Sequence, residues 1–185
     1  MSSHFIPKHG GYQNLISYQK AEIVFDATVR FCERFIGKGS RTFDQMVQAA
    51  RSGKQNICEG SQASGTSKET EIKLTNVARS SLEELLNDYK DFLRLRGACE
   101  WPSDHRYARR LRELNRIHGA TYEMFRRGVE HPDPVIAANV ILGLIRVTCY
   151  LLDQQLRSLE RQFLAEGRLR ERMTRERLNS RGKAR

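Results

Sequence analysis

Long apolar runs are missing from this chain. The longest, around Val140 to Leu144, contains a glycine and ends at Arg146. Nothing approaches the ~18 uninterrupted apolar residues of a membrane span. The N-terminus lacks the ordered charged, apolar and small-residue regions of a signal peptide. These absences point to a cytoplasmic protein. Proline is scarce, at 4 in 185 residues, which favours helices because proline breaks their interior. Paired cysteines are missing too. Cys32, Cys58, Cys99 and Cys149 lie far apart with no CxxC motif, so they read as small apolar fillers in a reducing compartment. His4, His9, His105, His118 and His131 are scattered, and no two lie four residues apart on a helix, which argues against a zinc site. No glycine-rich phosphate loop, metal cluster or catalytic triad is visible. The sequence therefore points to a protein that is not an enzyme and needs no cofactor.

What the chain has in quantity is positive charge. Lys and Arg number 32 against 22 Asp and Glu, a formal net charge of +10. The charge is unevenly placed. Residues 66–97 are balanced, whereas residues 157–185 carry 10 basic and 4 acidic residues. Arginine dominates that excess, and its planar fork suits phosphate.

Apolar periodicity predicts an all-α protein: an antiparallel up-down four-helix bundle over residues 12–165, with a helical insertion at 98–133. An irregular arm at 1–11 precedes it and a basic tail at 166–185 follows. In the first helix, residues 12–36, Ile16, Ile23, Val24, Ala27, Phe31 and Phe35 recur at helical steps. Gly37 and Gly39 stop it. The second helix is read at 43–61, capped by Thr42 with Gln45 completing a capping box. It is rich in small residues, and Gly53 costs about 1 kcal/mol there relative to alanine, so its place is explained by close approach of a neighbour. The third helix is capped by Thr66 or Ser67. Its stripe runs Leu74, Val77, Ala78, Ser81, Leu82, Leu85, Leu86, Tyr89, Phe92 and Leu93 to Gly97. Within the insertion, residues 104–118 read as a short basic helix, with Tyr107, Leu111, Leu114 and Ile117 facing the bundle. The fourth helix starts near Pro134, which suits a first turn. It buries Ile141, Leu144, Ile145, Thr148, Leu151, Leu152, Leu156, Leu159 and Phe163. Short connections between the first three helices fit antiparallel packing.

Residues 45–97 also carry a resemblance. Gln45, the run Ala49, Ala50, Arg51, Ser52, the element Asn56, Ile57, Cys58, Glu59, Gly60, then Ser67, Lys68, Glu69 and the stretch Ala78 to Leu85 bear it. They resemble the four-helix-bundle family that includes proteins encoded in intervening sequences of bacterial 23S ribosomal RNA genes. The same family includes the accessory variability proteins of diversity-generating retroelements. After Gly60 that family usually carries an aromatic and a basic residue, whereas this chain has Ser61, Gln62, Ala63 and Ser64. With the insertion and the tail, this suggests an extended subfamily. The resemblance implies a homo-oligomer, a pentameric ring around a basic channel, that binds nucleic acid and, in retroelements, a reverse transcriptase.

The candidate sites each have two readings. Asn56 and Glu59 form a site at the turn after the second helix, or a hydrogen-bonded structural element with Gly60 as C-cap. The structural reading is favoured, because a lone carboxylate without base, nucleophile or metal ligands is not an active site. Arg51 and Lys54 share a helical face, and Arg79 joins them if helices two and three are antiparallel. That makes a phosphate patch, or a set of salt bridges to Glu83 or a neighbouring subunit. Arg106, Arg109 and Arg110 in the insertion are further candidate nucleic-acid contacts. So are the tail residues Arg168, Arg170, Arg172 and Arg175, as phosphate-backbone contacts or as a solubilising tail. Tyr89 and Phe92 suit the core better than base stacking, and Trp101 is a third aromatic of that kind. The nucleic-acid-binding module is weighed against a protein–protein assembly module without nucleic acid.

Overall fold

The computed structural model describes residues 10–166. The chain is all-α: six α-helices and no strand among the described residues. A single 3-10 turn at Tyr12–Asn14 leads into α1 (Ile16–Phe35), so the first helix starts four residues later than the periodicity suggests. One face of α1, with Ala21, Val24, Ala27, Thr28, Phe31 and Cys32, is fully buried. Gly37 ends it at φ +86°, donating to Cys32 O at 3.2 Å. That left-handed backbone is cheap only for glycine.

α2 (Arg41–Ala63) begins two residues earlier than expected. Its cap is Ser40, whose Oγ accepts from Thr42 N–H at 3.2 Å; Thr42 is not the cap. Gly39, at φ +92°, turns the chain sharply enough to put Ser40 there. α2 also runs past the expected end, and Gly60 is not a C-cap. It is buried within the helix, and a Cβ on it would lie 3.3 Å from Glu71 O and 3.4 Å from Leu74 Cβ. α3 (Lys68–Arg94) is capped by Ser67, whose Oγ accepts from Thr70 N–H at 3.1 Å. Glu69 and Glu71 lie in its first turn, where the macrodipole favours acids. Leu82, Leu85, Leu86, Tyr89, Phe92 and Leu93 are buried. Val77, expected in the stripe, is 45% exposed.

The insertion holds two helices, α4 (Arg106–Arg116) and α5 (Tyr122–Val129). Eight residues are too few for a periodic signal, which is why α5 was not foreseen. α6 (Pro134–Glu166) has Asp133 before it, whose Oδ1 accepts from Val135 N–H at 2.8 Å. By length and composition an 18-residue stretch of α6 is apolar enough to cross a membrane, at a mean hydropathy of 2.1, but 61% of that stretch is buried inside the protein. It is the core helix, packed on α1, α3, α4 and α5.

α1 packs on α2 and α6, and α3 packs on the same two. Facing contacts tie them together. Ser52 Oγ and Ser81 Oγ are 2.9 Å apart, Ser17 Oγ donates to Gln155 Oε1 at 2.7 Å, and Tyr89 Oη donates to Thr28 Oγ1 at 3.3 Å. Phe31 meets Tyr89 and Phe92 edge-on, with centroids 5.0 and 4.8 Å apart. Two glycines set helix spacing. A Cβ on Gly53 would lie 2.6 Å from Leu82 Cδ2, and one on Gly143 would lie 2.2 Å from Leu111 Cδ2. The first brings α3 onto α2, the second brings α4 onto α6.

Candidate nucleic-acid interface

α4 is built on one anchor. Leu111 is buried against α6, while Leu114 and Asn115 are half-buried. Tyr107 and Ile117, expected on the inner face, are 40% and 48% exposed. The helix is too short and too marginal in position to bury more than one turn. Its remaining surface is basic: Arg106, Arg109, Arg110, Arg112 and Arg116 are all exposed. No acid sits in the first turn of α4, so its positive helix end adds to their field.

Most of these cations are loosely held. Arg110 pairs with Glu113 at 3.0 Å, with both side chains more than 60% exposed, a geometry worth little in water. Arg112 donates to Ser103 O, and Arg106 donates to Tyr107 Oη with its guanidinium 4.4 Å from that ring. Arg109 has no ion pair among the described residues.

The connection into α4 is clamped to α6. Asn139, buried within α6, accepts from Trp101 N–H at 2.7 Å and donates to Cys99 O at 3.3 Å. Arg146 grips the Glu100 carboxylate through both Nε and Nη2. Trp101 stacks on His105 at 4.7 Å and 20°, and tilts against Tyr107 at 5.3 Å. His105 Nδ1 is buried and has no hydrogen-bond partner among the described residues.

The α2–α3 candidates part company. Arg51 is exposed on the solvent face of α2, and Lys54 leans over the Phe25 ring of α1 at 4.6 Å. Arg79 points the other way, to Asp153 of α6 at 3.5 Å and Glu83 at 3.9 Å. The three do not converge into a phosphate patch, because α2 presents Lys54 toward α1 while α3 presents Arg79 toward α6. Asn56 Nδ2 donates to Ser52 O and Ser52 Oγ at 2.9 and 3.1 Å, which aligns the Ser52–Ser81 bridge. Glu59 is exposed and apart from that network. Asn56 thus serves the helix pair, while Glu59 and Gly60 have separate surroundings. Arg168, Arg170, Arg172 and Arg175 lie outside the described residues. Tyr89 and Phe92 are core.

Two features escaped the sequence. Arg127, exposed at the end of α5, faces the same side as α4 across a shared cavity. Lys20 is only 4% exposed, donates from Nζ to Asn115 Oδ1 at 3.0 Å, and lies 5.1 Å from the Phe125 ring. It has no carboxylate partner among the described residues, and burial pushes its pKa below the usual lysine value. Its place four residues after Ile16 and three before Ile23, inside the apolar stripe, was the available signal.

Among the described residues no group of three or more His, Cys, Asp or Glu is placed to hold a metal ion. Compared with family models, curated proteins and solved structures, the chain matches none.

Proposed function

We propose that this chain is a non-enzymatic, cytoplasmic nucleic-acid-binding protein: a homo-oligomer of antiparallel up-down four-helix bundles that holds RNA or DNA by its phosphates. Facing contacts support the bundle topology. Ser52 meets Ser81 while Gly60 meets Leu74, so α2 and α3 run oppositely. Ser17 meets Gln155 while Arg34 donates to His131 O just before α6, so α1 and α6 do as well. The observation that carries the function is α4: five arginines in eleven residues, all exposed, with one carboxylate among them. Exposed arginine unpaired by acid is what phosphate-backbone contact requires. The family resemblance of residues 45–97 supports a pentamer, and a reverse transcriptase as protein partner.

Binding of a fluorescent oligonucleotide to the full chain, titrated in salt, tests this. Each phosphate neutralised lowers log K by ~0.9 per decade of salt on duplex DNA and ~0.7 on single strands. The triple variant Arg109→Gln, Arg112→Gln, Arg116→Gln is expected to bind more weakly with a shallower slope. An unchanged slope, or no binding at low salt, refutes the reading. A second reading, a protein–protein assembly module without nucleic acid, is favoured by Val77, Tyr150 and Leu164, exposed at 45%, 61% and 76%. Under it the arginine variant changes nothing, whereas Tyr150→Glu lowers the solution mass.

A further inference from the structure

Between α4, α5 and α6 lies a cavity of about 600 Å³, within the ~300–1,000 Å³ range of ligand sites. Its floor is apolar, made by Leu111, Leu114, Met124 and Phe125. Trp101 and Tyr107 also line it, with Arg106, Arg110, Arg127 and His131, and among the described residues the lining contains no Asp or Glu. Size, aromatic lining and charge therefore suit an occupant with an apolar aromatic body and an anionic edge. We propose that this cavity receives one unstacked base of a single-stranded nucleic acid, with the flanking phosphates held by Arg106, Arg110 and Arg127. This rests on the nucleic-acid reading of α4 and adds a preference for strand form.

The aromatic wall is held rigidly enough to act as a stacking face. Trp101 is pinned through its backbone N–H to buried Asn139 at 2.7 Å and backed by the His105 ring. Tyr107 carries Arg106 over its face and bonded to its hydroxyl, which places a cation at the mouth of the cavity. Arg110 exchanges a weak, exposed partner for phosphate, and Arg127 has no ion pair to give up among the described residues. α5 cannot drift away and open the floor to water without losing its seat. A Cβ on Gly128 would lie 3.0 Å from Val140 Cγ2, so the α5 backbone packs directly on that α6 side chain. Every base has a π-face, so such a site tolerates sequence but requires unpaired bases. A duplex, with its bases stacked inside, offers only phosphates.

Trp101 is the sole tryptophan of the chain, so intrinsic fluorescence reports directly on this wall. The full chain is titrated with a twelve-residue oligodeoxythymidine and with a blunt duplex of equal phosphate number, following anisotropy and tryptophan emission together. Saturable quenching by the single strand, in step with anisotropy, and no quenching by the bound duplex is the expected result. Tyr107→Ala and Arg127→Gln alter exposed side chains and are expected to keep the fold. Tyr107→Ala should weaken single-strand binding roughly tenfold and duplex binding by a clearly smaller factor. Single-strand binding without quenching, equal quenching by duplex, or wild-type affinity of both variants overturns the base site while sparing phosphate binding by α4. Failure of both nucleic acids to bind at low salt overturns both readings.

Discussion

Replacing Gly53 by alanine pits two effects of similar size against each other. In a helix interior alanine is favoured over glycine by about 1 kcal/mol, so on propensity alone Gly53→Ala should stabilise α2. The packing says otherwise. The added Cβ would stand 2.6 Å from Leu82 Cδ2 and 2.7 Å from Leu82 Cγ, well inside the ~3.5–4.0 Å of favourable carbon contact. Rotating one methyl relieves the first contact but not the second, because Cγ moves only with the whole side chain or with α3. Leu82 is fully buried, so it has no free volume to retreat into, and overpacking of this kind costs about 1–3 kcal/mol. The expected net effect is destabilisation of up to about 2 kcal/mol, a Tm lower by up to roughly 8 °C for a chain of this size. Thermal and urea unfolding of Gly53→Ala, Leu82→Ala and the double variant measure it as a cycle. Leu82→Ala alone should cost about 2–5 kcal/mol. In that background Gly53→Ala should turn stabilising, since the clash is gone and the propensity gain remains. A single variant clearly more stable than wild type, or the same effect in both backgrounds, refutes the argument.

Lys20 has its pKa lowered by burial, so the folded state binds fewer protons than the unfolded one between that lowered value and 10.5. Stability should therefore rise with pH through that window, and Lys20→Met should remove this rise when its unfolding curve is subtracted from wild type. The subtraction matters because Tyr89 and Tyr122, raised by burial, act oppositely above pH 10. Asn139→Ala frees Trp101 N–H and Cys99 O; it should cost about 1–3 kcal/mol and shift Trp101 emission to the red. Thiol labelling of the folded chain at pH 7.5 should proceed fastest at exposed Cys99. Cys32 and Cys149, whose thiols burial pushes up to about 12, should react only on unfolding; fast labelling of either would contradict their burial.

Much of the fold was legible because the bundle helices are long. The runs from Ala21 to Phe31, from Leu82 to Leu93 and from Ile141 to Leu152 repeat their apolar spacing over several turns, and a single apolar face is the local cause of a buried one. Ser67 was readable as a cap, since serine before an acidic first turn satisfies end N–H groups within four residues of itself. Ser40 was not, because a positive-φ glycine beside it decided which hydroxyl faced the helix. α5 was too short to read, and the arginines of α4 were visible as charge but not as neighbours of Arg127. The sequence by itself determined that this chain forms amphipathic helices with a basic surplus, because periodicity and composition are properties of neighbouring residues. Only the tertiary structure decided which charges are spent. Arg79 meets Asp153, 74 positions later, Lys20 is sealed beneath α4 and α5, and Trp101, Tyr107 and Arg127 frame one cavity. The last two depend on how closely Gly128 and Gly143 let α5 and α4 approach α6, and all three are set between segments far apart in the chain.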